Sequence, residues 1–390
     1  MATNSYCLKR ICHYATLGTE VRMAPNLSKI FCIRIRVHYT WAVAFALVTA
    51  TVSTQFPENY PITQRIILGV LVALLFFAAV IVRELILGLA TTRRENPIRD
   101  MTLFAFGGVY QTTGKSIAPS HNLLLFFARF LSNLTIVAIF WGVYATFINA
   151  GNLTIAGLAQ WLALIYFMLF LLHFVPVFPL DGGKILQLFL WKSTGNYYQA
   201  TYTASSIGWY ISLFLIFVGV LALIITQQWV IGLPVLFIGW FLQIAAGHTR
   251  RQARMLISLQ NIVVRDIMAR EFPATTQQVS ISQLVRDHIL VQGWRYVIVV
   301  NGVKLDGMLT VRSIKSVPMR HWNSTLVGDI MTPSNQLQTA HPQQLAATLL
   351  EQMDQLGIDH IPVLEDDNVI GVVARDILIR LGKTRTQFGV

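Results

Sequence analysis

Charged side chains inside apolar runs are where this sequence could do chemistry. Arg83 and Glu84 sit together in "AAVIVRELILGLATTRRENPIRDMTLFAFGGVYQ". Arg129 lies in "LLLFFARFLSNLTIVAIF", and His173 and Asp181 frame "HFVPVFPLDGGKILQ". A carboxylate in such a setting can ligate a metal, take a proton from a bound water or pair with a cation. An arginine at the centre of a spanning helix costs roughly 2.5–3.5 kcal/mol on insertion scales, so it usually faces the protein interior and finds a partner. Two other arrangements are open to these residues. Arg83 could snorkel to a membrane edge beside Arg93 and Arg94, or Arg83, Glu84, Arg129 and Asp181 could line the polar path of a transporter.

The elements that must carry these residues are membrane helices. The chain has 390 residues, 54% of them hydrophobic and 12% charged, against about 25% charged in soluble domains. Six stretches are long and apolar enough to cross a bilayer: about 38–55, 66–90, 123–149, 155–179, 207–226 and 229–246. The net charge of +12 does not indicate nucleic acid, because the basic residues cluster in short loops beside these runs. Lys29, Arg34, Arg36, Arg93, Arg94, Arg99, Lys115, Lys184, Lys192, Arg250, Arg251 and Arg254 flank one side, and Arg65 the other. That asymmetry predicts a multi-pass protein with both termini in the cytoplasm. Tyr39, Trp41, Trp209 and Trp229 read as interface anchors. Cys7, Cys12 and Cys32 form neither a disulfide framework nor a CxxC metal pair. Residues 1–22 carry no signal-peptide pattern, and Met23 is an alternative start.

From about Ser258 the composition turns soluble and the sequence repeats itself. "VRDIMARE" (264–271) returns as "VGDIMTPS" (327–334), and "WRYVIVVNGVKLDGMLTVRSI" (294–314) as "IDHIPVLEDDNVIGVVARDIL" (358–378). Each copy reads as strand, polar turn, Gly-containing strand and helix, and such units bury each other's apolar faces. The pattern resembles a tandem pair of CBS domains, expected at 258–318 and 324–383. That resemblance implies an α/β fold, a homodimerisation module and an adenine-nucleotide cleft. In that family a Ser or Thr and an Asp three residues later hold phosphate and ribose; here the positions read Thr310 and Ser313 in the first copy and Ala374 and Ile377 in the second, with Asp376 one place early. The ribose carboxylate is thus missing at that spacing in both copies, so dimerisation is the expected role, and Thr310 and Asp376 are the residues a nucleotide would use.

In the membrane part, the five residues Arg83 to Leu87 stand where an HExxH helix would place two histidines on one face to bind zinc. Only the glutamate is kept. "TLFAFGG" follows, and "FPLDGGKIL" comes at the end of the fourth apolar run. The combination resembles the site-2 protease family, zinc metalloproteases that cut helices inside membranes, in its branch with C-terminal CBS pairs. The resemblance implies that Glu84 is the remnant general base and Asp181 the remnant third zinc ligand. It also implies that Phe106, Gly107 and Gly108 present substrate as an extended strand, and that Pro176, Pro179, Gly182 and Gly183 shape an interrupted helix. The departures are Arg83 and Leu87 at both histidine positions, His173 where the family has Asn, and Arg129-Phe130 where it has Gly-Pro. Three protein ligands are the norm for a catalytic zinc.

The expectation is therefore a mainly α polytopic membrane protein, with a cytoplasmic tail (1–34), a six-span site-2-protease-like core (35–250) and the α/β CBS pair. Its expected role is to bind a single-span membrane client in the bilayer without cutting it, under control of the CBS pair, with no resident cofactor. The guanidinium of Arg83 is expected to replace the metal's charge by pairing with Asp181 and Glu84. The alternatives are an active zinc endopeptidase with a remodelled site using His173, Asp181 and Glu84, and a polar-path transporter.

Overall fold

A computed structural model of the chain describes residues 26–30, 33–37, 39–58, 60–92, 98–104, 107–112, 119–291 and 293–388. It divides into two compact units, 1–253 and 254–390. Phe106, Cys7, Cys12, Cys32 and residues 1–22 lie outside the described residues.

The first unit is built from helices α1 (Thr40–Ser53), α2 (Ile62–Thr92), α3 (Pro119–Asn149), α4 (Leu153–Leu172), α5 (Asp181–Thr194), α6 (Tyr197–Thr226) and α7 (Trp229–Leu259), the last running on into the second unit. Five of these, α2, α3, α4, α6 and α7, are long and apolar enough to cross a membrane. The first predicted span is a helix of only 14 residues. At 1.5 Å per residue that is about 21 Å, short of a hydrocarbon core of about 30 Å. The first of the six expected spans, 38–55, is thus not matched by a full-length helix among the described residues. The fourth span, read as 155–179, stops at Leu172 because Pro176 and Pro179 cannot continue it. What remains is a multi-pass membrane protein.

Aromatic and aliphatic side chains of α1, α2 and α4 fill the core of this unit, with Val72, Phe76, Phe77, Val80, Leu162 and Tyr166 all buried. The hydroxyl of Tyr166 donates to the Phe76 carbonyl at 2.9 Å. A four-stranded sheet, β1 (Asn26–Ile30), β2 (Ile33–Val37), β3 (Ile98–Phe104) and β4 (Gly107–Thr112), follows that order across its width. The pair β2–β3 is parallel and β3–β4 antiparallel, so β4 is an edge strand.

The second unit contains two copies of a hairpin, β5 (Tyr296–Asn301) with β6 (Lys304–Thr310) and β7 (His360–Glu365) with β8 (Asn368–Ala374). Each copy's opening segment is bonded to the other copy. Val264 donates to the Gln344 carbonyl at 2.9 Å, and Ala346 to Ile262 at 2.8 Å. In the mirror arrangement Val327 donates to Val279 at 2.9 Å, and Ile281 to Thr325 at 3.1 Å. The reciprocity explains the paired glycines. A Cβ on Gly307 would lie 2.6 Å from the Thr332 carbonyl oxygen and 2.8 Å from Met331 Sδ; one on Gly371 would lie 2.9 Å from both Ala269 O and Met268 Sδ. Helix α9 (Ala346–Leu356) buries Ala346, Ala347, Leu349, Leu350 and Met353, a helical stripe closed by Gly357 in the left-handed conformation.

Candidate functional site

Three helices of the first unit bring the intramembrane charges together. Arg83 and Glu84 come from α2, which is uninterrupted there. Arg129 and Asn133 come from α3, one turn apart on one face. Asp181 is the first residue of α5, the end of a helix at which the helix dipole favours a carboxylate. The loop 173–180 sets its position. The Gly182 N–H donates to the His173 carbonyl at 2.9 Å. A Cβ on Gly182 would lie 2.5 Å from the Val175 carbonyl oxygen, and one on Gly183 2.7 Å from the Phe178 nitrogen. Only glycines let the loop fold against the start of α5, which is the interrupted helix predicted from the sequence.

All five side chains are buried: Arg83 is 3% exposed, Glu84 0%, Arg129 6%, Asn133 0% and Asp181 4%. Snorkelling of Arg83 is therefore not what the structure contains. Its Nη2 donates to Glu84 Oε1 at 2.7 Å, and its Nη1 donates to Asn133 Oδ1. Arg129 Nη1 donates to Asp181 Oδ1 at 2.8 Å, and its Nη2 lies 3.5 Å from Glu84 Oε2. The expected pairing is thus half right. Arg83 takes Glu84, while Asp181 is held by Arg129, whose partner the sequence did not reveal. The reason is reach: Arg83 adjoins Glu84 and is held from the other side by Asn133.

His173 caps the end of α4, its Nδ1 2.6 Å from the Leu169 carbonyl oxygen and its Nε2 4.0 Å from Asp181 Oδ2. Lys184 Nζ stands 3.8 Å from Asp181 Oδ1 with its side chain 38% exposed. Leu87, on the face of Arg83 one turn on, is buried. The edge strand β4 reaches the same place. A Cβ on Gly107 would lie 3.5 Å from Arg83 Nη2 and 3.6 Å from Glu84 Oε1, at a φ of +149° that side chains rarely adopt. Gly108 follows Gly107 in β4, opposite Leu103.

These residues do not fit a zinc ion. A guanidinium carries five donors and no acceptor, and a leucine offers nothing. The carboxylates that remain are both bonded to Arg129. Among the described residues no group of three or more His, Cys, Asp or Glu is arranged to hold a metal. Asn133 was missed in the sequence; the signal was a carboxamide in an apolar helix one turn from an arginine.

In the second unit, Thr310 caps α8 (Val311–Lys315): its hydroxyl accepts from Ser313 N at 3.4 Å and contacts Ser313 Oγ at 3.2 Å. Asp376, in the first turn of α10 (Arg375–Phe388), pairs with Arg380 at 3.5 Å and is largely exposed. Tyr296, opposite Thr310 in the ladder, stacks on His360 of the other repeat with ring centroids 4.2 Å apart. Burial, with Asp376 nearby, raises the Tyr296 pKa. Burial lowers that of His360 against the opposing pull of Asp359 and Asp376. Thr310 lies opposite Tyr296 in the ladder, and the Asp376 charge acts on both Tyr296 and His360.

Comparison with known proteins adds the following. The CBS domain family model matches residues 327–383. Over 367 residues, 93% of each chain, this sequence is 28% identical to "Putative zinc metalloprotease Rip3" of Mycobacterium tuberculosis. It is 27% identical over 380 residues to "Putative zinc metalloprotease sll0528" of Synechocystis, covering 92% of this chain and 95% of that one. Among solved structures, the site-2 protease from Methanocaldococcus jannaschii is 25% identical with a TM-score of 0.45, covering 58% of this chain and 95% of that one. The chain is thus similar along nearly its whole length to proteins named putative zinc metalloproteases, and residues 327–383 match a CBS domain, in keeping with the resemblance read from the motifs.

Proposed function

We propose that this chain is a proteolytically inactive relative of the site-2-protease-like zinc metalloproteases, which binds a single-span membrane client without cutting it. The observation that carries the reading is the fate of the two remnant carboxylates. Glu84 is bonded to Arg83, Asp181 to Arg129, and the Arg129 guanidinium lies near both. A general base in this role needs an acidified water to deprotonate, and Glu84 is instead committed to ion pairs. What supports retained binding is β4: its outer edge, which pairs with no further strand among the described residues, and the glycine backbone over the Arg83–Glu84 pair offer an extended segment of a client a strand to pair with.

The names of the relatives favour the enzyme reading; the ligand set of this chain opposes it. A transporter is disfavoured because the four charges neutralise one another. On this proposal both termini face the cytoplasm, from the loop charges, and the CBS pair tunes client binding as a dimerising module. An adenine nucleotide is the ligand that Thr310 and Asp376 would take.

The test uses a fluorescent single-span model helix with a short unwound segment, reconstituted with the purified full chain in lipid vesicles. Saturable binding with no cleavage product is expected. Cleavage that is abolished in Glu84→Gln overturns the reading.

A further inference from the structure

We propose that Arg129 is a tethered stand-in for a metal ion, and that its guanidinium, as well as the loss of two histidines, bars this site from metal. The proposal rests on the reading of the site as metal-free and adds the residue responsible.

Arg129 is 6% exposed, with Nη1 2.8 Å from Asp181 Oδ1 and Nη2 3.5 Å from Glu84 Oε2. It reaches from α3 to residues on α2 and α5, so it cross-links the helices that carry the two remnant carboxylates. A bound cation would do the same. Arg83 serves a different purpose: it holds the far oxygen of Glu84 and the carboxamide of Asn133.

Charge arithmetic separates the two arginines. Arg83 and Arg129 against Glu84 and Asp181 sum to zero in the buried cluster; Lys184, partly exposed, is common to every variant below. Arg83→His with Leu87→His supplies both missing imidazoles, and a divalent ion then leaves the cluster at +1 with Arg129 still bonded to Asp181. Adding Arg129→Ala brings the loaded cluster back to zero and removes the guanidinium that lies against both carboxylates. Uncompensated charge in a dry interior is strongly disfavoured, so the two variants must differ sharply in metal uptake.

The experiment measures zinc per chain by elemental analysis after dialysis of purified full-length protein against zinc. Arg83→His/Leu87→His should stay far below one equivalent, and Arg83→His/Leu87→His/Arg129→Ala should approach one. Equal loading of the two variants, whether full or nil in folded protein, overturns the proposal. If the triple variant does not fold, melting of Arg129→Gln, Asp181→Asn and their combination in detergent decides. A combined loss of melting temperature smaller than the sum of the single losses supports the cross-link; an additive loss overturns it. Zinc in the wild-type sample would instead remove the reading of the site as metal-free, and is seen separately.

Discussion

The two units of this protein hold ion pairs at the same distances and use them for opposite purposes. In the membrane unit, Arg129–Asp181 spans 2.8 Å with both side chains at 7% exposure or less. In the CBS-containing unit, Arg375–Asp354 spans 2.6 Å and Arg265–Glu365 3.1 Å, with side chains 33–46% exposed. Water screens the second set and leaves it worth little. The first set has no water to fall back on, so each member is needed by the others. The stability of the second unit lies in the reciprocal exchange of segments between repeats and in the glycines that admit it. The distance of an ion pair therefore says little about its worth until burial is known.

The comparison breaks most readily at its strongest claim. Asp181→Ala takes away one of the two carboxylates that face the buried Arg129 guanidinium, and should cost about 3–5 kcal/mol. A melting temperature in detergent equal to wild type would mean that the cluster is not a closed electrostatic unit. Gly307→Ala tests the other half. Its Cβ would fall 2.6 Å from a backbone oxygen, and overpacking of this kind costs typically 1–3 kcal/mol. Far-ultraviolet circular dichroism against denaturant measures that loss, and no loss would show that the exchanged segment can shift. Arg265→Ala should change stability by about 0.2–1 kcal/mol, and less in high salt; a larger loss would erase the contrast between the units.

The smallest effect is a pH slope. His360 has a folded pKa below its ordinary value, mainly from burial, so the unfolded chain binds a proton more readily than the folded one. Stability from the neutral imidazole is complete above its ordinary value near 6.5, and is lost as pH falls from there through the folded value. Melting of wild type and His360→Gln between pH 7.5 and 5 should show the wild type losing stability faster towards acid; parallel curves would remove His360 as the cause.

Much of this was legible in the sequence. Apolar runs gave the long helices, two copies of a motif gave the paired hairpins, and the resemblance carried by "FPLDGG" implied the break between Leu172 and Asp181. The failures have physical reasons. The run 38–55 looked long enough to cross a bilayer, but its helix covers only Thr40–Ser53. Two arginines and two carboxylates admit more than one pairing, and hydropathy does not choose between them. The choice was made by the facing of α3, which brings Asn133 to Arg83 and Arg129 to Asp181. The exchange of opening segments between repeats was equally hidden, since a repeat period shows that two units are alike and not which strand pairs with which.

The central claim is that fixed guanidinium charge has replaced a metal between Glu84 and Asp181. Elemental analysis of zinc in the purified wild-type chain, beside Asp181→Ala, tests it most directly. Both samples should lack stoichiometric zinc. One zinc per wild-type chain, lost in Asp181→Ala, would contradict the account.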